Sequence, residues 1–325
     1  MNAFGYISFY YGILFYGWIV MKNNIIYYYN IEVSNLVKNG NYYSFYFNGD
    51  RYEFNIYTRD FKEENDILKL NKFMVENNIL VHEIIPNKNG NIVSVVDNVP
   101  YVLYKVYINK DKKITLDELT FMSQYDVVGV DSLKRNEWDT LWGTRIDYLE
   151  YQINQMGKKY PILVDSFSYF VGMAENAISY VKNTIIETKK EELDKDVISH
   201  SKVYDSINSI YDPLNIIIDH KSRDVSEYIK ASFFLNNKKI FEELDIYFSK
   251  NYYSFYGIRL LFGRVVYPSF YFDLYDNVIL GNVKESEVLN ITSRTVEYEA
   301  YLREIYYYLR KFYNIPMIDW LTNDK

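Results

Sequence analysis

The chain has 325 residues and a mass of 39.0 kDa, with 49% hydrophobic and 24% charged residues, enough for a large core in two lobes and too apolar for wholesale disorder. It has no cysteine and only three histidines (His82, His200, His220), none paired as HxxxH or HxH, which excludes disulfides, thiolate metal sites, a cysteine nucleophile and a multi-histidine centre. A net charge of −7 and a pI near 5.2 have the wrong sign for gripping a nucleic-acid backbone, and the basic runs Lys110–Lys113 and Lys238–Lys239 read as solvated faces. The 37 tyrosines read first as the general core and rim aromatic, and second as a sticky or cross-linkable assembly surface.

The first twenty residues carry no charge, and Lys22 is the first ionised side chain. Met1–Val20 is long enough for a membrane span. It has neither a basic lead nor a cleavage site, so it is not a standard signal peptide. Residues 1–21 are therefore expected to be an upstream extension with a natural start at Met21, ahead of a membrane anchor and then of an added strand or helix.

Strand patterns follow. Glu32–Val37 precedes the turn Lys38–Asn41, and Tyr42–Phe47 ends in Asn48-Gly49-Asp50 before the alternating run Arg51–Thr58, which predicts a hairpin. Phe61–Asn78 changes to helical period, with Ile67, Leu70, Phe73 and Met74 on one face. Strands resume at Leu80–Ile85, Ile92–Val96 and Tyr101–Tyr107. Beyond Thr115 the chain reads as helical. Pro161 opens a long amphipathic helix carrying Leu163, Phe167, Phe170, Ala174, Ile178, Val181 and Ile185, and Thr295 is expected to cap a later one that stops before Pro316. Between them Val197–His220 reads as an irregular strand-like stretch whose apolar run ends in Asp219, a way phosphoryl-transfer folds present a metal-binding carboxylate.

No GxG, GxxxxGK[ST] or GxSxG occurs, which removes the dinucleotide fingerprint, the kinase glycine-rich loop, the P-loop and the hydrolase elbow. The carboxylate pairs Glu63/Glu64, Glu191/Glu192 and Glu242/Glu243 read as solvated faces.

Several segments resemble a known family. Val99–Lys105 resembles the strand leading into the hinge of aminoglycoside- and choline-kinase-like phosphotransferases, and Asp212–His220 and Arg223–Lys230 resemble their metal-binding strand and the helix after it. With Gly263–Ser269 and Ile315–Leu321, the chain from about Lys22 to Leu321 is most similar to the kinase-like spore coat proteins of the CotS/YutH type. The resemblance implies an α+β, two-lobed kinase-like fold: an antiparallel β lobe with one helix over 22–108 and a larger, mainly helical lobe over 109–325.

Carried over residue by residue, the same resemblance implies a degenerate site. The active phosphotransferase family bears a phosphate-binding lysine on its third strand, where Arg51–Thr58 offers Glu53, Asn55 and Tyr57. Its catalytic loop reads His-Gly-Asp, where this chain has His200-Ser201-Lys202, and an ammonium at Lys202 does not accept a hydroxyl proton at its ordinary pKa. The metal-binding Asn falls on Ile207, with Asn208 one position off, and Asp219 alone matches cleanly. Arg223-Asp224 is assigned the bracing of the catalytic loop.

The expectation is a pseudokinase with no catalytic residues and no cofactor, in the spore coat or the cytoplasm of the mother cell that builds it. Its partners would be other coat or sporulation proteins, with no nucleic acid, and a membrane only if residues 1–20 anchor it. The alternative is a divergent small-molecule phosphotransferase using Mg-ATP, with Asp205 as base and Asn208 and Asp219 as metal ligands.

Overall fold

A computed structural model describes residues 18–107, 114–125, 129–203 and 207–322, which form two compact units. Asp205 and the basic run at 110–113 lie outside the described residues. The first unit comprises described residues up to 107 with 129–134 and 207–216, and the second comprises 114–125, 135–203 and 217–322.

The first unit is built on an antiparallel sheet of β1 (Ser34–Asn39), β2 (Tyr42–Phe47), β3 (Asp50–Ile56), β4 (Glu83–Ile85), β5 (Val93–Val96) and β6 (Val99–Lys105). Its order is β1-β2-β3-β6-β4, with β5 also on β6. Two tight hairpins set the register. Asn48 and Gly49 (φ 50° and 87°) join β2 to β3 so that Phe47 faces Asp50, and Asp97 and Asn98 (φ 50° and 64°) join β5 to β6 so that Val96 faces Val99. Both turns need two consecutive positive φ values, which Asn, Asp and Gly tolerate best. Alternation along the strands then buries Phe45, Tyr52, Phe54, Tyr101 and Leu103 in one cluster, with Phe54 stacked on Tyr101 at 4.7 Å and Phe45 on Tyr52 at 5.5 Å.

Met21, Ile25 and Tyr29, one face of a helix over 18–29, complete that cluster. The expected boundary after residue 21 therefore falls inside a helix, and Trp18 on its far side donates its indole N–H to the Leu36 carbonyl at 2.9 Å. Residues 1–17 of the proposed extension lie outside the described residues. Among the described residues no helix is long and apolar enough to cross a membrane.

The helix predicted over Phe61–Asn78 runs Glu64–Glu76 after a short 3-10 turn, and buries Ile67, Leu70, Asn71 and Met74, whereas Phe73 is only half-buried. Asn71 takes its place on the buried face because its amide bridges the His82 carbonyl and the Ile84 N–H. The same bonds explain why the strand expected over Leu80–Ile85 shrinks to β4. The His82 N–H donates to the Tyr211 carbonyl, leaving Leu80–His82 outside the ladder.

The second unit is helical. Pro161 stands at the first turn of a 27-residue helix to Glu187, whose buried face meets the helix Phe255–Val266. Gly263 permits the close approach, since a Cβ there would lie 2.8 Å from Val181 Cγ2. The cap expected at Thr295 is not formed: Arg294 is the N-cap of Thr295–Arg310, and the Thr295 hydroxyl donates back to the Thr292 carbonyl of a helical turn that immediately precedes it. The irregular stretch Val197–His220 resolves into β7 (Asp196–His200) and β8 (Ile216–His220), which pair, with the short helix Ile207–Tyr211 between them in sequence.

Phe54 has no exposed surface and is wedged between Tyr29 and Tyr101. Phe54→Ala is expected to cost about 3–5 kcal/mol, read as a lower midpoint in urea denaturation of the full chain.

Candidate functional site

Asp219 is the penultimate residue of β8, a strand buried along its whole length, and the helix Ser222–Phe234 starts three residues later. One helical turn separates Asp219 from Arg223, so the guanidinium Nη1 closes on Asp219 Oδ2 in a short ion pair. Trp138, first residue of the helix Trp138–Met156, places its indole Nε1 3.0 Å from both carboxylate oxygens, and the His220 N–H donates to Oδ1 at 2.7 Å. The carboxylate is completely inaccessible to solvent.

Arg223 spends its remaining donors on the loop after β7. Its Nε reaches the His200 carbonyl at 2.7 Å and its Nη2 the Ser201 carbonyl at 3.1 Å. Asp224 holds the same loop from the other side, accepting the His200 N–H at 2.9 Å and lying 2.6 Å from the ring Nδ1. The pair Arg223-Asp224 thus grips the backbone and side chain of His200 with every contact buried or nearly so. Lys202, the residue expected from sequence at the catalytic Asp position of active phosphotransferases, lies 3.3 Å from Asp273, which also meets Arg145 at 3.2 Å.

Below Arg223 on the same helical face come Glu227 and Lys230, spaced four and seven residues on, and Arg264 joins them from Phe255–Val266. Glu227 Oε1 is 2.9 Å from both Lys230 Nζ and Arg264 Nε. Burial alone would raise the Glu227 carboxyl, but Lys230, Arg264 and Arg223 outweigh it and hold it down to about 2. Lys230 is driven down to about 8, first by burial and then by Arg264, against the pull of Glu227. Residue-by-residue comparison of the catalytic motifs left this cluster unassigned; the charged i, i+4, i+7 spacing on an otherwise core-facing helix is the signal that marks it.

Next to it, Ser222 Oγ, His220 Nδ1, His220 Nε2 and Asp194 Oδ1 line up in the order of a nucleophilic triad. Ser222 is fully buried and Asp194 also accepts from Ser254 at 2.6 Å, so the arrangement pins the strand-to-helix turn.

In the first unit, the third-strand face that carries no lysine bears Arg51, Glu53 and Asn55, and Arg51 is paired with Glu53 at 2.6 Å. Arg59, absent from the sequence-based site, bonds buried Glu63 at 2.6 Å and the carbonyls of Leu214 and Ile216 at 2.8 and 3.1 Å, so Glu63 is a buried ion-pair partner, where a solvated face was expected. Asn208 belongs to the short helix Ile207–Tyr211 of this unit, and Asp205 lies outside the described residues.

The structure therefore brings His200, Asp219, Arg223 and Asp224 into one bonded group and leaves Asn208 in the other unit. The fold family implies Mg²⁺ and a nucleotide, and the donor set does not fit the metal. Both oxygens of Asp219 already accept N–H donors, a guanidinium occupies the charge-compensating position, and the described residues contain no cluster of three or more potential ligands.

Removing one partner of a buried ion pair leaves an uncompensated charge, which costs about 3–5 kcal/mol. Arg223→Met is expected to lose that much stability in urea titration, and the double change Asp219→Asn with Arg223→Met to recover most of it. Glu227 adds a pH signature. Its folded pKa of about 2 lies below its ordinary value of 4.5, so the unfolded chain binds more protons between them and stability is lost as pH falls through that window. The stability deficit of Glu227→Gln relative to the parent is therefore expected to be largest near neutrality and to shrink as pH falls toward 2, measured by urea midpoints across that range.

Solved structures with the same fold include a spectinomycin phosphotransferase in complex with ADP and spectinomycin (TM-score 0.57, 14% identity, 87% of this chain and 93% of that one). An aminoglycoside phosphotransferase from Alicyclobacillus acidocaldarius gives a TM-score of 0.60 at 10% identity, covering 88% and 94% of the two chains. At those identities the likeness establishes the fold, the two-lobed kinase-like architecture expected from sequence. The endospore coat-associated protein YutH of Bacillus subtilis (strain 168) is 27% identical over a 212-residue alignment, with 57% of this chain and 61% of that protein's length covered. The profile of the spore coat putative kinase YutH family matches residues 22–305, and the chain belongs to that family.

Proposed function

We propose that this chain is a catalytically silent kinase-like protein that serves the bacterial spore coat as a binding and structural component. The observation that carries this reading is the state of Asp219: the one residue matching the family's metal ligand is buried, and its carboxylate is taken up by Arg223 and Trp138. Phosphoryl transfer needs a metal-bridging carboxylate, a base and a phosphate-binding cation acting together. Here the carboxylate is closed, a lysine stands in the base position, and the third strand bears Arg51 tied to Glu53. The likeness to a coat-associated relative supports a place in the coat or in the mother cell that assembles it, with other coat or sporulation proteins as partners.

The test is thermal unfolding and calorimetric titration of the full chain with ATP, with and without Mg²⁺. A ligand at a hundred times its Kd stabilises by about 2.7 kcal/mol, a readily measured shift in melting temperature. No Mg²⁺-dependent shift is expected at millimolar ATP. A clear one that Asp219→Asn abolishes would sink this reading in favour of an active small-molecule phosphotransferase.

A further inference from the structure

The helical unit contains a cavity of about 570 Å³, in the size range of a small-molecule site. Its charge is one-sided. Arg135, Arg145, Lys202, Arg223, Lys230 and Arg264 line it, against Glu227 and Asp273. Two further carboxylates, Asp219 and Asp276, pair with the lining cations Arg223 and Arg145.

Sharing is the consequence. Glu227 serves Lys230 and Arg264 together, and Asp273 serves Arg145 and Lys202. Burial and the neighbouring Arg223 both disfavour the charge on Arg264. Lys230 has its three protons engaged by Glu227, Ser269 and the Tyr267 carbonyl at 2.7–3.2 Å, so it supplies field and not a contact.

Independent of charge, two lining donor atoms lack an acceptor among the described residues. Arg264 is buried with its guanidinium 4.6 Å over the Trp138 ring, yet its Nη1 has no acceptor among the described residues. The Tyr267 hydroxyl is equally buried and unpartnered. Burial raises the Tyr267 phenol above its ordinary value, so it remains an O–H donor at neutral pH. Unsatisfied buried donors cost stability unless something accepts from them. Trp142, stacked on Tyr267 at 4.1 Å, and the nearby Phe270 and Leu274 give the cavity a flat apolar wall beside these donors.

We propose that this cavity binds a small organic anion carrying at least two negative charges, of the phosphate-ester or polycarboxylate class, with Arg264 and Tyr267 as inner donors and Arg145 and Lys202 at the partly exposed rim. Guanidinium groups match the bidentate geometry of both oxyanions. The inference goes beyond the silent-kinase reading and does not depend on it, because it requires neither a metal nor a nucleotide.

The experiment is calorimetric and thermal-shift titration of the full chain, without Mg²⁺ and at low salt, with citrate and inorganic pyrophosphate, and with choline and spermidine as cationic probes. Saturable binding of an anion is expected, weakened by added salt, with no response to the cations. Arg145→Gln and Lys202→Gln, both at partly exposed positions, should each weaken it several-fold, and Arg264→Gln at least tenfold if that variant folds. Failure to bind either anion, preference for a cation, or anion binding untouched by the two rim variants would overturn the proposal. Mg²⁺-dependent ATP binding that Asp219→Asn abolishes would instead overturn the silent-kinase reading and leave this one standing.

Discussion

A carboxylate with no solvent access must find its compensation inside the protein, and Asp219 finds it four residues away in Arg223. Much of the helical unit is arranged around that pair. Because Arg223 is held by Asp219, its other nitrogens are aimed at the carbonyls of His200 and Ser201, and the loop after β7 is fixed. Because a second arginine, Arg264, approaches the same helix, Glu227 and the Trp138 ring are needed to hold it. Trp138 serves both arrangements, with its N–H on Asp219 and its face under Arg264. Charge, aromatic stacking and loop position form one coupled group here, and changes within it will not be additive.

Membership of the spore coat family and the phosphotransferase fold are compatible once fold and chemistry are separated. The parts that hold the architecture persist: the apolar faces of the sheet and of the long central helix, the tight hairpins, the Asp224 grip on His200. On the proposed reading, the positions that would carry phosphoryl transfer hold side chains that satisfy one another. The helical unit keeps a cavity of useful size whose lining carries more cationic than acidic side chains.

Local pattern accounts for what was legible in the sequence. The Asn48-Gly49 turn, the alternation of β2 and β3 and the apolar period after Pro161 are all encoded within a few residues, and each appears where the pattern put it, except that Ile185 is exposed and Thr184 is buried at that end of the helix. The strand carrying Asp219 and the segment at His200 were legible because their motifs are contiguous. What escaped depends on distant partners. Nothing near residue 219 announces that Trp138, 81 positions earlier, will cover its carboxylate. Thr295 carries the right side chain for a cap, but a preceding helical turn occupies its hydroxyl, and Leu80–His82 is drawn out of its strand by Asn71 and Tyr211. Glu227, Lys230 and Arg264 escaped because a charged residue on a helix reads as solvent-facing until a second helix is seen to bury it.

The Asp219–Arg223 pair also constrains what the lineage can become. Opening Asp219 to a metal would require the guanidinium to leave, yet replacing Arg223 alone strands a buried charge, and replacing Asp219 alone removes the carboxylate a metal would need. Either single step is penalised before any benefit arrives, so the two changes must come together with something that reopens the loop Arg223 now staples. Neither side chain can be exchanged alone without that cost, so the pair locks the site in the arrangement it has.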